Sequence, residues 1–196
     1  MTEMSPTMLH HLAYITHDAA ATVDFYHRVL GLPFCSTVMD DQVPSTGEPF
    51  PYLHLFFRLP DNSNIAFFEC PGLPEAAPST HPAYDVFNHL ALQVDSKEDV
   101  DRWRDRLVAE GVDIVGPTDH GIIYSIYFHD PNGIRLELTT SVDKTWNRHE
   151  EAAWRDLEMW EGAKRQAVEE GRDVAEALIA VIRRNRAKHK QSLEIA

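Results

Sequence analysis

A chain of 196 residues, 43% of them hydrophobic, can bury one core of ordinary domain size and still carry an extension. Its net charge of -13 leaves no basic stripe to neutralise phosphates, which excludes a nucleic-acid partner and an anionic membrane surface as expected ligands. Cys35 and Cys70 stand far apart without CxxC spacing, and no apolar run reaches the ~20 residues of a membrane span. With no basic-then-apolar order in Met1–Pro6, the expectation is a reduced, cytoplasmic protein.

Leu9–Ile15 reads as a strand, and Asp18–Leu30 as a helix capped by Asp18 and stopped by Gly31. Pro33–Met39 follows as a strand, Asp40–Pro51 as a polar loop. Tyr52–Leu59 alternates clearly: Leu53, Leu55, Phe57 and Leu59 on one face, Tyr52, His54, Phe56 and Arg58 on the other. Ile65–Cys70 is a further strand, and Pro71–Tyr84, with four prolines, a linker.

The order then restarts. Phe87–Val94 is a strand, and Ser96–Glu110 an amphipathic helix with Val100, Trp103 and Leu107 on one face. Val112–Val115 is a short strand. Ser125–His129 and Ile134–Thr140 form a hairpin about Asp130-Pro131-Asn132-Gly133, where Pro fixes φ and Asn-Gly tolerates positive φ. The tail from Lys144 steps at helical spacing through Trp146, Ala153, Leu157 and Trp160. A second helix starts at Val174 and ends in the basic run Arg183-Arg184-Asn185-Arg186, which reads as a solvated helix end.

Strand, helix and three strands therefore occur twice, and residues repeat with them. His11-Leu12-Ala13-Tyr14 answers His89-Leu90-Ala91-Leu92, and Ile65-Ala66-Phe67-Phe68-Glu69 is matched to Ile134-Arg135-Leu136-Glu137. A Glu in a strand of aliphatics needs a partner, because burying a bare carboxylate is costly. One answer is an Arg135–Glu137 pair on a wet face. The other is a metal: two His and two Glu at matching places converge if the halves pair about a two-fold axis, and imidazole plus carboxylate suits Zn, Fe, Ni or Mn. His10, of opposite parity to His11, should face away. The cup so formed would be walled by Tyr52, His54, Phe56, Phe67 and Tyr127, and would suit an aromatic or other small organic ligand.

HLAYITHDAAATVDFYHRVLGLPF, NIAFFE, NHLALQVDS and YFHDPNGIRLEL together resemble the vicinal oxygen chelate superfamily, which includes glyoxalase I, bleomycin- and fosfomycin-resistance proteins and type I extradiol dioxygenases. The resemblance implies an α+β fold of paired βαβββ modules (residues 9–70 and 86–140 of a domain spanning 7–142). They form an open eight-stranded metal-binding cup, followed by a C-terminal helical extension over 143–196. Thr118-x-His120, Ile126-Tyr127, Asp130-Pro131-x-Gly133 and Glu137 are spaced like the extradiol signature. That likeness implies a substrate-contacting His120, a catalytic-site Tyr127, and a Fe(II) triad of His11, His89 and Glu137, with Mn, Ni or Zn as other candidates. Two departures stand out. Asp61-Asn62-Ser63-Asn64 occupies the place of the distal acid–base histidine, for which His54 is a possible substitute. Glu69 stands where glyoxalase I-like relatives put a fourth ligand or a base. The expected function is an extradiol-type dioxygenase acting on a catechol-like ring. A glyoxalase-like lyase or isomerase and a small-molecule binding or resistance protein remain as alternatives. The superfamily's habit of sharing modules between chains, with the aromatic tail, implies a homodimer.

Overall fold

The computed structural model describes residues 5–75 and 77–194, with side chains through residue 185; residues 1–4 and the Arg186 side chain lie outside the described residues. The chain divides into two compact units, Met1–Val142 and Asp143–Ala196.

In the first unit, eight strands form two four-stranded sheets of the same design. β1 (His11–Thr16), β2 (Phe34–Asp40), β3 (Tyr52–Arg58) and β4 (Asn64–Glu69) pair in the order β1-β4-β3-β2. β5 (Leu90–Gln93), β6 (Val115–Asp119), β7 (Ile123–His129) and β8 (Arg135–Ser141) pair as β5-β8-β7-β6. In each sheet the first strand lies parallel to the fourth and the rest are antiparallel. This is the α+β arrangement of doubled βαβββ modules.

Helices follow the first strand of each module. α1 (Ala19–Val23) begins where Asp18 Oδ1 accepts from the Ala21 amide at 2.9 Å, and it continues as a π-helix, Asp24–Val29. α3 (Lys97–Ala109) begins where Ser96 Oγ accepts from the Asp99 amide at 3.1 Å. These caps satisfy amides that the first turn leaves without partners. Against the helices lies one shared core: Tyr26, Leu55, Phe57, Ile65 and Phe67 from the first module, Val100, Leu107, Ile126, Phe128 and Leu136 from the second. Tyr26 locks the halves further, its buried hydroxyl donating to Asp130 Oδ2 at 3.1 Å.

The sequence reading misses one helix. Within the proline-rich linker lies α2 (Pro82–Phe87), capped by the His81 imidazole, which accepts from the Ala83 amide at 3.1 Å. Phe87 belongs to that helix and β5 starts at Leu90, so His89 sits in a connection rather than a strand. The second unit is a pair of helices, α4 (Glu150–Glu169) and α5 (Val174–Glu194). Among the described residues no helix is long and apolar enough to cross a membrane.

Candidate metal centre

Glu137 is 1% exposed, in the middle of β8. Strand register puts it beside Tyr127 on β7 and Ala91 on β5, on the face turned away from the core of Leu136 and Leu138. No bond to Arg135 satisfies it. The Arg135 guanidinium instead lies over the Tyr127 ring, 4.5 Å from its centroid. The carboxylate has two other partners. Tyr127 donates its hydroxyl to Oε1 at 3.2 Å, and His89 Nε2 stands 2.9 Å from Oε2. His120 Nε2 lies 2.9 Å from the Tyr127 hydroxyl. That hydroxyl spends its one hydrogen on Glu137, so His120 is the donor to it. Burial, and then the charge of Glu137, hold the Tyr127 phenol above its ordinary pKa, so it remains protonated.

The other side of His89 fixes its chemistry. Nδ1 lies 3.0 Å from the Phe87 carbonyl, an acceptor only, so Nδ1 carries a hydrogen. In the neutral ring Nε2 then turns a lone pair toward a carboxylate oxygen. Two such atoms in contact call for a proton or a cation between them. The 2.9 Å found is the length of a charge-assisted hydrogen bond from a protonated ring. It is also close to the separation of about 3 Å between two donors each about 2.1 Å from one ion and at right angles about it, as in an octahedral site. The pair, oriented from behind by Phe87 and Tyr127, thus fits a divalent cation.

The remaining residues expected here are arranged differently. His11 faces the open side of its sheet, but its Nδ1 is 2.8 Å from Nδ1 of His10. His10 precedes β1, outside the pleat, so the parity that should turn it away does not bind it. Among the described residues no three His, Cys, Asp or Glu side chains stand close enough to hold a metal, so the expected triad is two residues in contact with a third apart. Glu69 is on the wrong face for the cup: it registers with Thr16 and Leu53, and its Oε2 accepts from the Ala19 amide at 3.0 Å, at the start of α1. Phe67 likewise points into the core, and Phe68 takes its place on the wall.

His54 lies on the open-face side with that wall. Its ring stacks on Phe68 at 3.6 Å and meets His11 edge-on at 6.0 Å. Burial, and then the neighbouring His11, hold its pKa below the ordinary value. Its buried Nε2 has no hydrogen-bond partner.

Residues 8–138 match the family model of the glyoxalase/bleomycin resistance protein/dioxygenase superfamily. The chain belongs to this superfamily. Over 140 residues it is 28% identical to metapyrocatechase of Pseudomonas sp. strain CF600. That stretch is 70% of this chain but 40% of the relative, so the chain spans less than half of the relative's length. Among solved structures, the glyoxylase/bleomycin resistance protein/dioxygenase domain from Frankia sp. EAN1pec superposes with a TM-score of 0.57 at 20% identity, over 70% of this chain and 99% of that one. The fosfomycin resistance protein FosX of Listeria monocytogenes gives 0.50 at 24% identity, over 70% of this chain and 96% of that one. Members of this superfamily thus include both dioxygenases and resistance proteins, and the likeness of fold alone does not choose between chemistries.

Proposed function

We propose that the chain is a metal-dependent enzyme of the extradiol type, opening a catechol-like aromatic ring with O₂. The unbroken line of contacts from His120 through Tyr127 and Glu137 to His89 carries this reading. His89 and Glu137 would hold the ion with His11 as third donor, Fe(II) being the first choice and Mn, Ni or Zn the others. The bound ion supplies a Lewis-acidic position at which vicinal ring oxygens and O₂ can meet.

The chain's own groups fit the rest of the reaction. Tyr127 orients the Glu137 carboxylate from behind through Oε1, with Oε2 turned toward His89, where the ion would sit. His120, exposed at the end of the relay, keeps Nε2–H on Tyr127, and only in its protonated form would its Nδ1–H donate to an oxygen on which charge develops. His54, held neutral by burial, would have to turn its buried, unpartnered Nε2 toward the cup to accept a proton from a catechol hydroxyl. Phe56 and Phe68 offer a flat wall to a planar ring. The likeness to metapyrocatechase supports the same class of substrate. A glyoxalase-like lyase reading relies on Glu69 as ligand or base, and the bond of Glu69 to the Ala19 amide disfavours it. A cytoplasmic location and a homodimer belong to the same proposal; light scattering that reads a monomer at micromolar concentration would remove the second.

The test is anaerobic reconstitution with Fe(II), then addition of catechols and O₂. A yellow ring-cleavage product, abolished or strongly reduced in His120→Ala, is expected. Iron-loaded protein that consumes no O₂ with any catechol, while Zn²⁺- or Ni²⁺-loaded protein turns over a hemithioacetal, would overturn the proposal.

A further inference from the structure

Helix α2 has only six residues and no buried side chain: Tyr84, Val86 and Phe87 are 58%, 50% and 76% exposed. Apolar burial therefore contributes little to holding it, and a helix this short is not stable by itself. A cavity of about 670 Å³ adjoins it, lined in part by Tyr84, Phe87, His89 and Arg135. Yet the last residue of α2 has an exacting task, because the Phe87 carbonyl fixes the hydrogen of His89 on Nδ1.

Arg135 supplies what burial does not. Its Nη1 donates to the Val86 carbonyl at 3.0 Å and lies 3.4 Å from that of Asp85, both at the carbonyl end of α2. A cation there also meets the negative end of the peptide dipoles. The same guanidinium rests on the Tyr127 ring, so one planar group touches the support of His89 on one side and the support of Glu137 on the other.

From this geometry we infer that Arg135 is a positioning residue for the metal pair: it latches α2 to Tyr127 and so aims the Phe87 carbonyl at His89 Nδ1. The inference rests on the reading of His89 as a metal donor, but the arrangement it describes exists without an ion.

Two measurements test it separately. In metal-free protein with ¹⁵N-labelled histidine, NMR should show a slowly exchanging Nδ1 hydrogen on His89 at neutral pH. In Arg135→Ala that hydrogen should exchange too fast to observe, while the melting temperature falls only modestly. Zinc affinity, read by competition with a chelator, should drop about 10- to 100-fold in Arg135→Ala. Arg135→Lys keeps the charge and one donor but loses the fork, and should recover part of both effects. An unchanged Nδ1 hydrogen together with unchanged zinc affinity in Arg135→Ala would overturn the inference, as would full equivalence of the Lys and Ala variants. Wild-type protein that binds no zinc would instead count against the metal reading, and the NMR arm would still decide the role of Arg135.

Discussion

The Tyr26 hydroxyl donates to Asp130 Oδ2 at 3.1 Å and joins the two modules at a point where both groups are buried. Asp130 also organises its own turn, its Oδ1 accepting from the Asn132 and Ile134 amides at 2.9 and 2.8 Å. The Asp-Pro-x-Gly of the signature is therefore an architectural element here. Gly133 takes φ +77° so that the turn can close. Replacing Tyr26 by Phe keeps the ring packing on Phe67 but takes a donor from a buried carboxylate. We expect a loss of about 1–3 kcal/mol in urea unfolding, with metal binding unaffected. A cost near zero would show that the bond is replaced by another.

Two carboxylates that look alike in the text should behave differently. Glu137→Gln should lower divalent-metal affinity by at least about tenfold, since it removes the charge facing His89. Glu69→Ala should keep wild-type metal affinity and instead cost about 0.5–2 kcal/mol, because it leaves the Ala19 amide at the start of α1 without its acceptor. Metal titration alongside thermal unfolding reads both, and loss of metal in Glu69→Ala would restore Glu69 to the site.

Burial lowers the pKa of His54, so the folded chain binds that proton less readily than the unfolded chain, whose histidine titrates near the ordinary 6.5. The unfolded state then holds more protons below about pH 6.5, and stability must fall as pH drops through that range and stay level above it. In metal-free protein, urea midpoints measured from about pH 5 to about pH 7.5 should show this slope, and His54→Phe should flatten it. An identical slope in the variant would assign the effect to another group.

Tyr127→Phe removes the hydrogen bond to Glu137 Oε1 and the group to which His120 donates. Metal affinity should fall by about tenfold. Turnover, under the proposed function, should fall further than affinity alone explains, because His120 loses its partner and its orientation. Equal losses in affinity and turnover would confine Tyr127 to holding Glu137.

Much of this was readable because parity is simple. The alternation in β3 and β8 tells the core face from the open face, and both hold in the structure. Glu69 answers Glu137 by letter but not by register. Ala13 pairs with Ala66, and Ala91 pairs with Glu137, so the counterpart of Glu137 is Ala66. The hairpins agree: Arg58 faces Asn64 as His129 faces Arg135, each pair closing a five-residue turn. A slip of this kind moves a side chain to the other face. In Asn64–Glu69 the warning was present, since Glu69 shares its parity with Ile65 and Phe67. Helix α2 left less trace. It spans under two turns, starts on a proline, and uses a histidine as its cap, so neither periodicity nor the usual capping residues announce it. The contact of His10 with His11 depends on rotamers just outside a strand, which no pattern of residues encodes.

By the same register, Phe56 is the counterpart of Tyr127, as Ala66 is of Glu137. One half presents Phe56 and Ala66 where the other presents the Tyr127 hydroxyl and the Glu137 carboxylate. A receptacle with identical halves would accept a two-pronged guest either way round and could not tell its ends apart. Here the halves differ, so a guest meets a phenol and a carboxylate at one end, and aromatic rings with the imidazoles of His11 and His54 at the other. A duplicated fold of this kind becomes handed toward its ligand, and only one end of the guest can be presented to the reacting groups.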